Sequence, residues 1–493
     1  MSHPLVYEIN TRCWLPELAR ESGRRLTLAS VPDAEVARWA ALGFTHIWLM
    51  GVWETGPLAR QAARDNPAVV QACLEALPDL RDEDIAGSPY AIAGYQVPRA
   101  LGGERGLQRF RKQLHKHGLG LLLDFIPNHL GLDHPWIQSH PERFVRADAA
   151  VPGTIALETP HGTRHFAHGR DPYFPPWTDT VQLDFRLADT RAAVQRELAS
   201  VAGRCDGVRC DMAMLVLNDV FARTWAGFPS AGPEPAREFW GEATATIRRD
   251  HPEFLFLAEA YWGLEPRLLH LGFDHAYDKT LYDRLIARDP AGAQRHLLGL
   301  DPGALAGGAH FLENHDEIRI ASHVSPTEHA ADALLILGLP GLRLLHDGQL
   351  RGACLRTPVH LGRRWPEAVQ TRLEALYATL LTACRQSAVG TGEPRLLRPR
   401  AAWWDNPSHE TVIAVQWQVL PPAFDLVLVN LAPHPSQAYL PLALPGLEAR
   451  SWVFTDRLGD QRHERLGEDL VNQGFYVDLA PHATHLFHVE PRA

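Results

Sequence analysis

The sequence predicts an α/β chain: a closed (β/α)8 barrel, the TIM barrel, with an insertion after its third strand and a C-terminal antiparallel β domain. Three observations lead there. Apolar strand-like runs alternate with helical stretches until about eight strands have passed, the count for a closed barrel with long loops. Between residues 130 and 184 Pro, His, Gly and aromatic residues follow no regular period, over a stretch too long for an ordinary connection. Beyond residue 390 the pattern changes to short strand-like runs with turn-rich joins.

The elements follow in order. Residues 5–9 form a short strand, and a helical pattern at 32–42 stops at Gly43. Phe44-Thr-His-Ile-Trp-Leu-Met50 reads as the second strand, ended by Gly51. A loop rich in Gly, Pro and charge leads through 88–97 to an amphipathic helix at 106–117, and the apolar run 119–126 is the third strand. After the insertion a helix at 189–202, with Asp189 as its N-cap, feeds the strand near 207. Helix 234–249, strand 253–258, a short strand at 272–275, helix 279–287, strand 308–312, helix 330–337, strand 341–345 and helix 366–384 complete the series. In the tail, 411–419, 425–430, 451–455 and 483–489 read as strands. The domain reading is a barrel from 1–129 and 185–390, an insertion domain at 130–184, and a β-sandwich at 391–493.

Composition narrows the function. A length of 493 residues exceeds a single typical core, and 45% hydrophobic with 22% charged residues is the balance of a folded chain, not a disordered one. A net charge of -10 with scattered Lys and Arg argues against nucleic acid, and no run of about 18 apolar residues marks a membrane span. The opening Met1-Ser-His-Pro4 lacks the features of a secretory signal. Cysteines 13, 73, 205, 210, 354 and 384 contain no CxxC pair, so reduced thiols in the cytoplasm are expected.

Polar residues gather where strands end. In Gly207-Val-Arg-Cys-Asp-Met-Ala213, alternation puts Arg209 and Asp211 on one face and Val208 and Cys210 on the other. Inside a barrel the first pair reaches the open end while the second packs outward. Burying a carboxylate and a guanidinium is costly unless both are satisfied, which leaves catalysis or a structural ion pair as the reason. Asp124 and His129 close the third strand, Glu259 the fifth, and His315 with Asp316 the seventh. The C-terminal ends of barrel strands converge on one mouth. Three carboxylates there allow an ionised Asp to attack an anomeric carbon while a protonated acid serves the leaving oxygen. Arg209 favours an ionised Asp211, which makes Asp211 the nucleophile candidate and Glu259 the acid. Carboxylates and imidazoles also hold metal ions, so metal-assisted hydrolysis and a non-catalytic site stay open at this point.

Four segments, Asp124-Phe-Ile-Pro-Asn-His129, Gly207-Val-Arg-Cys-Asp211, Phe256-Leu-Ala-Glu-Ala260 and Phe311-Leu-Glu-Asn-His-Asp316, resemble in order the hallmark regions of the α-amylase family, glycoside hydrolase family 13 of clan H. The resemblance covers residues 1–390, and the tail looks like the family's C-terminal β domain. It implies a retaining mechanism on α-glucosidic bonds of oligosaccharides or small α-glucosides. By the same resemblance Asp211 forms the glycosyl intermediate, Glu259 serves as acid and then base, and Asp316 holds ring hydroxyls. His315 and His129 would be hydroxyl partners, Arg209 would hold the nucleophile, Tyr95 in Gly94-Tyr-Gln would stack under the sugar, and Asp124 would support the site. Asn128 is similar to a frequent calcium ligand of the family. A structural calcium stays unassigned, with Asp148, Asp171, Asp179 and Asp184 as further candidates, and no other cofactor is required.

The sequence departs from the family where many members carry Lys-His after the nucleophile. Here Met212-Ala-Met-Leu215 follows, so with Met214 and Leu215 in place of those polar contacts the acceptor side is expected to be more apolar or built from other residues. Hydrolysis is the leading reading. A glucanotransferase-like transglycosidase, a sugar-binding protein without turnover and a sugar phosphorylase are the alternatives, and the oligomeric state stays open.

Overall fold

A computed structural model describes residues 3–229, 232 and 235–492. Eight parallel strands close a barrel in chain order: β1 (Leu5–Asn10), β2 (His46–Met50), β3 (Gly120–Phe125), β4 (Gly207–Cys210), β5 (Leu255–Ala258), β6 (His275–Tyr277), β7 (Gly308–Phe311) and β8 (Leu342–His346). β8 pairs back onto β1, with Glu8 opposite His346. Strand alternation divides the side chains as the sequence predicts. Val6, Trp48, Leu122, Leu257 and Phe311 pack together in one buried cluster within the ring. Tyr7, Ile47, Leu123, Val208 and Cys210 join a second, larger cluster that includes the surrounding helices.

The helices present apolar faces to that outer layer. In Gly103–Lys116 the buried positions Leu107, Phe110 and Leu114 recur at helical spacing. Helix Ala188–Ala202 delivers the chain to β4, but Asp189 does not cap it. Leu187 occupies the cap position, and the Asp189 carboxylate is drawn instead to Arg143 Nε at 2.6 Å. The expected helix at 234–249 runs over Phe239–Asp250, while Glu234 lies outside the described residues. β6 sits three residues later than its expected start, because Gly272, at φ 99°, ends a turn there.

Between β3 and β4, strands Arg146–Ala147, Thr154–Thr159 and Gly162–Ala167 form an antiparallel sheet, and His129–Gly131 pairs with Thr180–Gln182. After the barrel come two antiparallel sheets. One holds Glu393–Leu397, Val412–Gln418, Phe424–Asn430, Thr484–Pro491, Ser451–Asp456 and Arg462–Leu466 in spatial order, and the other Arg400–Ala401, Ser436–Leu440 and Phe475–Leu479. They share one core containing Leu426, Ala438, Trp452 and Val477. Trp417 Nε1 donates to the Gly338 carbonyl at 2.9 Å and fixes this tail to helix Pro326–Gly338. Among the described residues no helix is long and apolar enough to cross a membrane.

Candidate active site

Arg209 is the centre of the barrel mouth. It lies on β4 in register with Asp124 of β3 and Leu257 of β5, and it is fully buried. Its Nη1 donates to Asp211 Oδ1 at 2.8 Å, its Nη2 meets Glu259 Oε2 at 2.8 Å, and its Nε donates to the Tyr277 hydroxyl at 3.3 Å. Asp124 Oδ1 stands 3.7 Å from Nη1. The guanidinium also lies over the rings of Tyr90, Trp48 and Tyr277 at 5.1, 5.5 and 5.8 Å. A planar fork is the side-chain end suited to holding two carboxylates at once.

The two carboxylates on the fork are not equivalent. Asp211 gives one oxygen to Arg209, and its Oδ2 has no hydrogen-bond partner; His129 Nε2 stands 3.9 Å from it. Glu259 accepts the Met212 N–H at 2.6 Å and the Tyr261 hydroxyl at 2.8 Å. Burial pushes Glu259 up to about 7 against the pull of Arg209, with the charge of Asp211 adding to the rise. Burial also raises Asp211, opposed by the Arg209 charge and hydrogen bond. Asp124 is pushed up to about 7 by burial. His129 is driven down to about 3 by burial, so its ring is neutral beside Asp211.

Asp316 is built differently. The loop after β7 is clamped by buried Glu313, which accepts Arg319 Nη1 and the Ile320 N–H, both at 2.7 Å. Asn314 Oδ1 accepts the N–H groups of Asp316 and Glu317 at 2.9 and 3.1 Å. This places the Asp316 carboxylate 3.0 Å from His315 Nε2, with 40% of its side chain still exposed to the mouth. The other ring nitrogen of His315, Nδ1, pairs with Glu8 inside β1. Burial opposes the imidazolium, but Asp316 and Glu8 together hold His315 well above its ordinary value. Burial likewise opposes ionisation of Asp316, and the His315 charge and hydrogen bond overcome it and hold that carboxyl low.

The structure therefore brings Asp124, His129, Arg209, Asp211, Glu259, His315 and Asp316 to one mouth. Tyr95 is a correction. Its hydroxyl accepts the Ile126 N–H at 2.9 Å and donates to the Ile126 carbonyl at 3.1 Å, while its ring stacks on Phe125. Tyr95 anchors the chain after β3, and it is Tyr90 that reaches the mouth: the Tyr90 ring stacks on His315 at 5.4 Å, and its hydroxyl lies 2.7 Å from His315 Nε2. Sequence reasoning also missed Glu8, Tyr261 and Tyr277. Of these Glu8 carried a signal, an acid inside the apolar run Leu5-Val-Tyr-Glu-Ile9.

Met214 and Leu215 lie in the core, so they do not wall the acceptor side. A cavity of about 400 Å³, lined by Arg170, Tyr173, Phe174, Arg223 and Trp262, reaches the turn that follows Glu259. Tyr173 and Trp262 meet edge to face at 5.0 Å. Asn128 spends its amide on Gln182, accepting Nε2 at 2.9 Å and donating to Oε1 at 3.2 Å. Asp184 is paired with Arg186, and Asp171 accepts the Tyr173 and Phe174 N–H groups. Among the described residues no group of three or more His, Cys, Asp or Glu is arranged to hold a metal ion.

No family model matches the chain. Among curated proteins it is similar to α-amylase MalA of Haloarcula japonica, 26% identical over 377 residues that make up 74% of this chain and 51% of that protein. It is 27% identical over 272 residues to an α-1,4-glucan:maltose-1-phosphate maltosyltransferase of Burkholderia pseudomallei, covering 53% of this chain and 20% of that protein. The chain thus spans about half the length, or less, of these relatives. Among solved structures, the maltogenic α-amylase AmyB of Thermotoga neapolitana matches with a TM-score of 0.67 at 17% identity over 99% of both chains. An α-amylase of Lactobacillus plantarum matches at 0.66 and 19% identity over 98% of both. These relatives and neighbours are α-amylase-family enzymes, and the structural likeness is one of fold.

Proposed function

We propose that the chain is a retaining enzyme that cleaves α-glucosidic bonds of α-glucans or small α-glucosides by double displacement through Asp211. One observation carries this reading: Arg209 bridges Asp211 and Glu259 at 2.8 Å each, while the second oxygen of Asp211 is left without a partner. A shared fork holds the two carboxylates close. That suits the spacing of a retaining pair, about 5–5.5 Å, better than the wider gap that seats a water in an inverting one.

The steps follow from the groups. Asp211 Oδ2 attacks the anomeric carbon, the bond to the leaving oxygen breaks, and Glu259 gives that oxygen its proton. A group raised to about 7 is protonated often enough for this near neutral pH and basic enough for the reverse task. Glu259 then takes the proton of a water, whose oxygen attacks the anomeric carbon and frees Asp211. The Tyr261 hydroxyl can donate to Glu259 when it is ionised and accept when it is protonated. Asp316, anionic beside the His315 cation, accepts ring hydroxyls and balances positive charge on the sugar at the transition state. Tyr90 supplies the flat ring against which the bound sugar rests.

A second reading, transfer to a sugar acceptor, is favoured by several relatives that are named as maltosyltransferases; the aromatic cavity of Tyr173, Phe174 and Trp262, three residues beyond Glu259 at its nearest in sequence, would offer such a sugar its rings. One experiment separates the readings: incubation with maltooligosaccharides, with and without added acceptor sugar or phosphate. New reducing ends support hydrolysis, chain-length redistribution without them assigns transfer, and a sugar phosphate assigns phosphorolysis. No turnover of any α-glucoside would overturn the proposal in favour of a sugar-binding protein. All six cysteines are unpaired thiols, which supports a reducing, cytoplasmic setting.

A further inference from the structure

Between the segments that follow β1 and β2 lies a separate cavity of about 450 Å³, a volume typical of small-molecule sites. None of Asp211, Glu259 or Asp316 lines it, but three arginines do: Arg12, Arg25 and Arg60. Two of them meet on one residue. The Thr55 hydroxyl accepts Arg12 Nη2, and the Thr55 carbonyl accepts Arg60 Nη2 at 2.7 Å. Their remaining bonds also end on uncharged oxygens: Arg12 Nη1 and Nε donate to the Gly87 and Gly51 carbonyls at 2.7 and 3.3 Å, and Arg60 Nε to the Gly56 carbonyl at 3.4 Å.

Carbonyls satisfy N–H groups and leave the charge standing. Among the described residues no carboxylate forms an ion pair with Arg12, Arg25 or Arg60, whereas Arg363 holds Asp79 and Asp84, and Arg364 holds Glu17 and Asp347. Burial, joined by the Arg60 charge, pulls Arg12 down to about 10. The wall's one acid, Glu54, is exposed, so three guanidiniums against one carboxylate leave two positive charges on the cavity. A guanidinium carries five N–H groups, so all three arginines keep donors to give. Leu15, Leu26, Trp53 and Leu101 make another part of the wall apolar. Trp53 is held by its Nε1 bond to the Asp124 carbonyl at 2.8 Å and by the edge-to-face ring of Tyr95 at 5.3 Å, which leaves that wall formed in advance.

We propose that this cavity is a binding site for a phosphate monoester carried on a compact apolar body. Above its second pKa of about 6 such a group is close to a dianion, which matches the two charges left over; a lone carboxylate would meet only one of them. Its oxygens accept paired N–H groups in the geometry that arginine offers. The apolar wall asks for more than the anion, because inorganic phosphate would leave Leu15, Leu26 and Leu101 against water while an apolar body covers them. A neutral sugar answers neither requirement. The site draws nothing from the activity proposed for the barrel, and each stands or falls without the other.

The test is isothermal titration calorimetry of the full chain with phenyl phosphate near neutral pH, with inorganic phosphate as the second probe. Phenyl phosphate should bind one site, at least about tenfold tighter than inorganic phosphate. Arg25→Gln and Arg60→Gln should each weaken it by at least about tenfold, the loss of one charge-assisted hydrogen bond. The Arg25 side chain makes no hydrogen bond or ion pair among the described residues, so its replacement removes no contact of the fold. A full chain that does not bind phenyl phosphate overturns the proposal, as does binding that both variants keep. Equal affinity for the two phosphates overturns the apolar half of the site and with it the ligand class. The titration is repeated on the Glu259→Gln chain with saturating maltotriose: unchanged affinity supports a site apart from the mouth, and displacement by the sugar would put the anion in the mouth and sink the proposal.

Discussion

Arg209→Lys keeps the positive charge and removes the fork. In the native site Nη1 serves Asp211 and Nη2 serves Glu259, each at 2.8 Å, while Nε serves Tyr277 at 3.3 Å. A lysine places its donors on a single atom, which cannot reproduce that planar two-point grip. At least one charge-assisted hydrogen bond is lost, worth about 1.5–3 kcal/mol. If that bond is needed to hold Asp211 for attack, kcat/KM falls by about 10- to 150-fold. The loss should appear in kcat, because misplacing the nucleophile harms the transition state more than sugar binding. The assay is initial rates with an aryl α-maltoside between pH 4 and 9, with urea unfolding alongside to confirm a folded variant. A lysine variant with kcat/KM within about twofold of the parent and unmoved pH limbs would refute the role given to the fork.

Other expectations are as direct. With Glu259 at about 7, kcat/KM should fall as pH rises through that value and the acid loses its proton; Tyr261→Phe, which removes a donor to the ionised form, should move this limb upward. Glu8→Gln takes one of two anions from His315, so its ring, held protonated in the parent, should titrate at lower pH, as followed by NMR of the imidazole carbons. Asp332 is raised by burial and by Glu328, with Arg288 only partly offsetting them. The folded state therefore keeps this proton longer than the unfolded one, and stability falls as pH rises above the unfolded value of about 3.9. Asp332→Asn removes that fall, so urea midpoints should favour the variant at pH 8 and converge near pH 4.

The barrel and most of its mouth were legible because charge inside an apolar strand is costly and therefore informative. Arg209, Asp211, Glu259 and Asp316 each follow or interrupt a strongly strand-like run, and parallel closure carries them to one end. Glu8 offered the same signal in β1 but had no neighbouring motif to point to it. Tyr90 and Tyr95 lie five residues apart in one loop, and which of them faces the mouth depends on the Ile126 backbone, more than 30 residues away, capturing the Tyr95 hydroxyl. Met214 and Leu215 were legible as apolar but not as core, because the left-handed turn at Met212, φ 44°, redirects the chain after Asp211. The tail strands Ser436–Leu440, Arg462–Leu466 and Phe475–Leu479 escaped notice because polar and exposed residues alternate through them, and pairing with distant partners makes them strands.

In the proposed mechanism Asp211 becomes covalently bonded to the sugar while Glu259 exchanges protons on the leaving side. The most direct measurement is mass spectrometry of the Glu259→Gln variant treated with a fluorinated glucosyl donor bearing a very good leaving group. One glycosyl unit on the peptide that contains Asp211 is the predicted result. A stable adduct on another residue, or rapid turnover with inverted product and no adduct at Asp211, would contradict it.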